Sequence, residues 1–146
     1  MIRSKKVDFS KVYSNLDELK NVFSQCKDKI VVAYLFGSAH RRQVTPLSDV
    51  DIAILINKDY EDIINEIEEK LYEDLVRCLK TDEIDLVCLN RAPLSVQYGV
   101  IKDKEILYFS DKQKVVDYET SVITNYLDIK PIRDFLNLEF LKKVGI

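Results

Sequence analysis

The sequence predicts an α/β chain in which helices cover one sheet, and three stretches carry that expectation. "KIVVAYLF" holds an unbroken apolar run of strand length, Ile30 to Phe36, that stops at Gly37. Ser48 to Ile56 alternates strictly, with Val50, Ile52, Ile54 and Ile56 on one face and Asp49, Asp51, Ala53 and Leu55 on the other. Between Asp59 and Lys80 the apolar residues Ile63, Ile67, Leu71, Leu75 and Leu79 recur every four positions, beside Ile64 and Cys78, with acids toward the start.

The remaining elements follow in order. Leu16, Leu19, Val22, Phe23 and Cys26 form a helical stripe from Asn15 to Cys26, with Ser14 or Asn15 available as its cap. "KIVVAYLF" gives a buried strand from Ile30 to Phe36, the alternating stretch a second, and "EIDLVCLN" a third. In that third strand Asp85, Val87 and Leu89 face one way and Ile84, Leu86 and Cys88 the other. Pro93 suits the first turn of a short helix reaching about Val100. "KEILYF" reads as an edge strand, and Val115 to Asn137 as a helix broken near Pro131.

A chain of 146 residues is long enough to bury a core as a single domain, and 47% hydrophobic with 32% charged residues is an ordinary globular composition. The net charge of −3 argues against broad binding to a nucleic-acid backbone. Cys26, Cys78 and Cys88 lack the spacing of a zinc or redox motif and read as small buried hydrophobes in a reducing compartment. "MIRSKKVDFSKVY" has no apolar run behind its basic residues, and no stretch approaches the length of a membrane span. The expected location is cytoplasmic, without membrane contact.

Chemistry concentrates in "FGSAHRRQVTPLSDVDIAIL", residues 36 to 55. Asp49 and Asp51, two apart on a strand, project together, and two adjacent carboxylates repel unless something compensates. A lone D-x-D pair is most simply a solvated strand face. Here, however, Gly37 and Ser38 end a buried strand where free backbone N–H groups can cradle a phosphate, and His40, Arg41 and Arg42 follow. His40 alone reads equally well as a solvated loop residue. A hard divalent ion such as magnesium suits the carboxylates, and Asp85, if it lies at the matching place on a neighbouring strand, extends them into a two-ion clamp. Together these features point to a nucleoside triphosphate site.

The pattern Gly37-Ser38, ten residues, Asp49-Val50-Asp51 resembles the signature of polymerase β-like nucleotidyltransferases, and should arise by chance in roughly a few of every thousand chains of this length. The likeness extends to the minimal nucleotidyltransferase (MNT) family. "EIDLVCLNRAPLSVQYGVIKDKEILYFSD" is similar to its central and distal region, with Asp85 at the third acidic position, and "YETSVITNYLDIKPIRDFL" to its C-terminal helix. Arg42 stands where many relatives have a small residue, often glycine.

The resemblance implies a polymerase β-like fold, a mixed sheet of about four strands covered by helices. It would form a single domain over 1–146, with its core at about 14–110 and a C-terminal helical segment at about 111–146. It also implies the antitoxin of a HEPN/MNT toxin–antitoxin pair, which transfers AMP from ATP to a tyrosine of the HEPN ribonuclease. By this resemblance Asp49, Asp51 and Asp85 are the catalytic acids and the ligands of two magnesium ions. Gly37, Ser38, Arg41, Arg42 and Ser48 would bind the nucleotide phosphates. Two other functions share these residues: a small-molecule nucleotidyltransferase of the aminoglycoside type, and an inactive antitoxin that acts by occlusion. Tyr34, Tyr98, Tyr118 and Tyr126 are expected in the core or at the toxin interface, and Glu66, Glu68, Glu69 and Glu73 on a solvent-facing acidic helix face.

Overall fold

The structure, a computed structural model, describes residues 15–37 and 50–145. Helix α1 spans Leu16–Ser24 and buries Leu19 and Phe23, four residues apart on its inner face. Strands β1, Ile30–Phe36, and β2, Val50–Ile56, follow. A 3-10 segment, Lys58–Ile63, leads into α2, Ile64–Leu79. Then come β3, Ile84–Cys88, α3, Leu94–Ile101, β4, Lys104–Phe109, and the long α4, Lys112–Lys143.

The four strands lie in the order β3-β2-β1-β4. β1 runs antiparallel to both β2 and β4, whereas β2 and β3 are parallel, so the sheet is mixed. A parallel pair cannot be closed by a hairpin, and α2 supplies the crossover between them. The alternation in β2 sorts its side chains as the sequence predicts. Val50, Ile52, Ile54 and Ile56 are buried beneath α1 and α2 with Leu19, Phe23, Ile67, Leu71 and Leu75. On the other face Ala53 packs with Val32, Tyr34, Leu89, Val100 and Val115 under α3 and α4.

Three expectations need correction. The helix expected from Asp59 to Lys80 is regular only from Ile64. Asn57 accepts a side-chain hydrogen bond from the Asp59 N–H while its amide donates to the Asp28 carbonyl, which tightens the entry into a 3-10 turn with Tyr60 at φ −117°. The third strand ends at Cys88, and Leu89–Arg91 form a 3-10 turn. There the Asn90 side chain takes over the pairing, accepting from the Ile56 N–H and donating to the Ile56 carbonyl, both at 2.8 Å. Third, α4 does not break near Pro131 but runs through it. Proline removes the donor to the carbonyl four residues earlier, and that carbonyl belongs to Leu127 on a half-exposed turn, where water can satisfy it.

Candidate active site

The site is built at one end of the sheet by register. Asp85 of β3 pairs with Asp51 of β2, Asp51 pairs with Phe36 of β1, and Phe36 pairs with Lys104 of β4. Register partners on adjacent strands lie about 5 Å apart and point to the same face. Asp51 and Asp85 therefore rise side by side. Their face is the one shared with Ala53 and Val87, under α3 and α4. Asp51 is half-buried and Asp85 exposed, so the pair sits at the rim of the core, open to a ligand.

Gly37 closes this row from above. It leaves β1 with φ +70°, and a β-carbon built on it would overlap Asp51 Oδ2 and lie 3.3 Å from Asp51 Cγ. The carboxylate thus occupies the space where any other residue would carry its side chain, so the Gly37 backbone lies directly over Asp51. Ser38, His40, Arg41, Arg42, Ser48 and Asp49 lie outside the described residues. Of the expected site residues, the structure brings together Gly37, Asp51 and Asp85.

At the far end of the same row stands a network that the sequence reading missed. The Tyr34 hydroxyl donates to Glu119 Oε2 at 2.6 Å, and Lys104 Nζ lies 3.3 Å from Glu119 Oε1. Tyr34 is fully buried. Burial, then the hydrogen bond and charge of Glu119, push its phenol well above the ordinary tyrosine range. The network ties α4 to the sheet beside the carboxylates. The only signal for it was charged residues on an edge strand and on a helix opposite, 15 residues apart in sequence for Lys104 and Glu119.

The other tyrosines pack as expected. Tyr118 donates to Gln97 at 2.8 Å, and Tyr98 stacks on Tyr126 with ring centroids 4.0 Å apart. Glu66, Glu69 and Glu73 are exposed, but Glu68 is half-buried at the β3 side, 3.9 Å from Arg91, because its place on α2 turns it toward the sheet edge. A cavity of about 650 Å³ opens at the opposite end of the strands, lined by residues that include Leu55, Lys58, Leu89 and Tyr118. It contains neither aspartate.

Over residues 17–113 the chain matches the family model for polymerase beta nucleotidyltransferases, an interval that includes Gly37, Asp51 and Asp85. The chain belongs to this nucleotidyltransferase family. Its fold is that of solved toxin–antitoxin structures. One is the tri-AMPylated Shewanella oneidensis HEPN toxin in complex with MNT antitoxin, with a TM-score of 0.64 and 22% identity over 88% of this chain and 98% of that one. Another is a toxin–antitoxin with AMP-PNP, with a TM-score of 0.62 and 21% identity over 92% and 99%. A third is the toxin–antitoxin MntA-HepT, with a TM-score of 0.63 and 22% identity over 88% and 98%. No curated protein matches the sequence. Among the described residues, no helix of this nucleotidyltransferase is long and apolar enough to cross a membrane.

Proposed function

We propose that this nucleotidyltransferase is a cytoplasmic antitoxin that transfers AMP from ATP to a tyrosine of a HEPN-type ribonuclease and thereby silences it. The observation that carries the reading is the placement of Asp51 beside Asp85 directly beneath Gly37. Support for the acceptor comes from the structures of similar fold, which hold a HEPN toxin in AMPylated form and a toxin–antitoxin with an ATP analogue.

The residues fit magnesium. Two carboxylates on adjacent strands offer hard oxygen donors close enough to share one ion, and the absent side chain at Gly37 lets the backbone lie against the Asp51 carboxylate. Asp49, two residues before Asp51, would add a third carboxylate. When bound, magnesium would neutralise triphosphate charge and favour ionisation of the acceptor hydroxyl.

The chain's own groups then do the following. The backbone beyond Gly37, with Ser38 and the basic side chains of Arg41 and Arg42, holds the β- and γ-phosphates, and Ser48 completes the cradle. Asp85, the more exposed acid, takes the proton of the tyrosine hydroxyl, whose pKa near 10 makes it a poor nucleophile at neutral pH. The phenolate oxygen bonds to the α-phosphorus as the bond to the bridging oxygen breaks. Pyrophosphate leaves with its charge held by the same donors.

The test is RNA cleavage by a cognate HEPN-type protein, after incubation with the chain, ATP and magnesium and removal of the chain. The proposal expects cleavage to stay lost only where ATP and magnesium were both present. Cleavage lost without ATP, and regained once the chain is removed, would establish occlusion instead.

A further inference from the structure

The distal part of α4 has no core to join. Among the described side chains of the helix Val122 is the last that is buried, and Tyr126 still stacks on Tyr98 of α3, but from Leu127 onward no described side chain is buried. About 18 residues at 1.5 Å each make an arm roughly 27 Å long. Its described large apolar side chains are open to solvent, from 40% for Leu141 to 64% for Phe140.

These residues do not form one stripe. At 100° per residue, Leu127, Leu138 and Leu141 fall on one side of the helix and Ile132, Leu136 and Phe140 roughly 180° away, with Phe135 between them. A helix that is apolar on opposite sides requires cover from both. An isologous pairing with one further copy of the chain would cover one side and leave the other in water. The arm's charges form local pairs, Lys130 with Asp134 and Lys142 with Glu139, which are exposed and contribute little. Its recognition is therefore apolar rather than electrostatic.

The direction of α4 says which partner this is. The helix begins at the end of the sheet remote from the aspartates, where the Ser110 N–H bonds to the Val31 carbonyl. By Glu119 it has reached Lys104, which stands on the row of Asp51 and Asp85. Continued along that axis, the arm projects past the end of the sheet that holds the carboxylates. Whatever binds it is presented to the site.

We infer that this arm is the docking element for the acceptor protein, and that it inserts between two apolar helices of that protein. The inference rests on the proposed function for the identity of the acceptor. A cylinder 27 Å long and 10 Å across has roughly 850 Å² of surface, comparable with one side of a standard protein interface.

The test uses the full chain and a cognate HEPN-type protein, with three variants: Leu127→Glu/Leu138→Glu on one side, Ile132→Glu/Leu136→Glu on the other, and, as a control away from the arm, the exposed charge change Lys20→Glu on α1. Two quantities are read, the Kd for the HEPN-type protein by sedimentation and the Kd for magnesium–ATP by titration. Each double variant is expected to weaken protein binding at least tenfold, with nucleotide binding and the control unchanged. Wild-type protein affinity in either double variant overturns two-sided insertion. Loss in one variant only, accompanied by conversion of a dimer to a monomer, makes the occupant a second copy. Should the wild type bind the HEPN-type protein without transferring AMP, the catalytic reading fails while the docking claim is still decided by the Kd values.

Discussion

Asp51 and Asp85 are direct register partners across the parallel β2–β3 pair, so two carboxylates from segments joined by a whole helix stand next to each other on one sheet face. Neither contributes to the apolar core, and both are placed by residues that do: Ile52 and Ile84, their chain neighbours, are buried on the opposite face. Asp85→Asn should therefore leave the thermal unfolding midpoint nearly unchanged. Transfer of AMP should fall by about 10²–10⁴-fold with Asp85→Asn, the magnitude typical for loss of a general base. Paired melting curves and transfer rates check this. A variant that unfolds would show that the acid is structural.

Gly37 is bound to its identity by two independent constraints, its positive φ and the Asp51 carboxylate in the place of a β-carbon. Gly37→Ala should cost about 1–2 kcal/mol from the left-handed backbone alone. It should also push Asp51 off the row, so activity should drop by more than the loss of folded protein explains. Denaturant unfolding together with the rate per folded molecule separates the two effects.

Tyr34 predicts a pH dependence. Its phenol titrates above the ordinary value near 10 because it is buried and donates to Glu119. A raised native pKa means that the folded state holds the proton more tightly than the unfolded state. This contribution is complete below about pH 10 and is lost as pH rises beyond it. Tyr118 is shifted the same way by burial, then by the charge of Glu119. Tyr34→Phe should cost about 1.5–3 kcal/mol at neutral pH, the range for a hydrogen bond to a charged group, and should flatten the alkaline fall in stability. Chemical denaturation at a series of pH values measures both.

The central strand supplies a control for these site variants. Ile52 is fully buried in the cluster beneath α1 and α2, and Ile52→Ala should cost about 2–5 kcal/mol by leaving a cavity. Its transfer rate per folded molecule should nevertheless stay within a few fold of wild type, since the side chain points away from the carboxylates. A denaturation curve and a rate measured at low temperature test the distinction.

What the sequence made legible was whatever depends on local periodicity. The alternation of β2 assigned Val50, Ile52, Ile54 and Ile56 to one face, and β1 and β4 have the expected bounds because their apolar runs are punctuated by Gly37 and by charged flanks. The match of Asp85 to Asp51 required the strand order, which periodicity does not carry; only the resemblance to the MNT family implied it. Side-chain substitutions for backbone pairing were invisible: Asn57 and Asn90 each bond to main chain in ways that shorten a helix or a strand, and nothing in their neighbours announces it. Pro131 misled because its cost depends on whether the orphaned carbonyl meets water. The Tyr34–Glu119–Lys104 network joins residues up to 85 positions apart and follows only from the way α4 crosses the sheet.

The most direct measurement is intact-mass spectrometry of a cognate HEPN-type protein after incubation with this chain, ATP and magnesium. The account predicts a gain of one or more AMP units, located on tyrosine, that is absent with the Asp49→Asn/Asp51→Asn double variant and absent when magnesium is chelated. An unchanged mass, in a complex whose ribonuclease is nonetheless blocked, would contradict it.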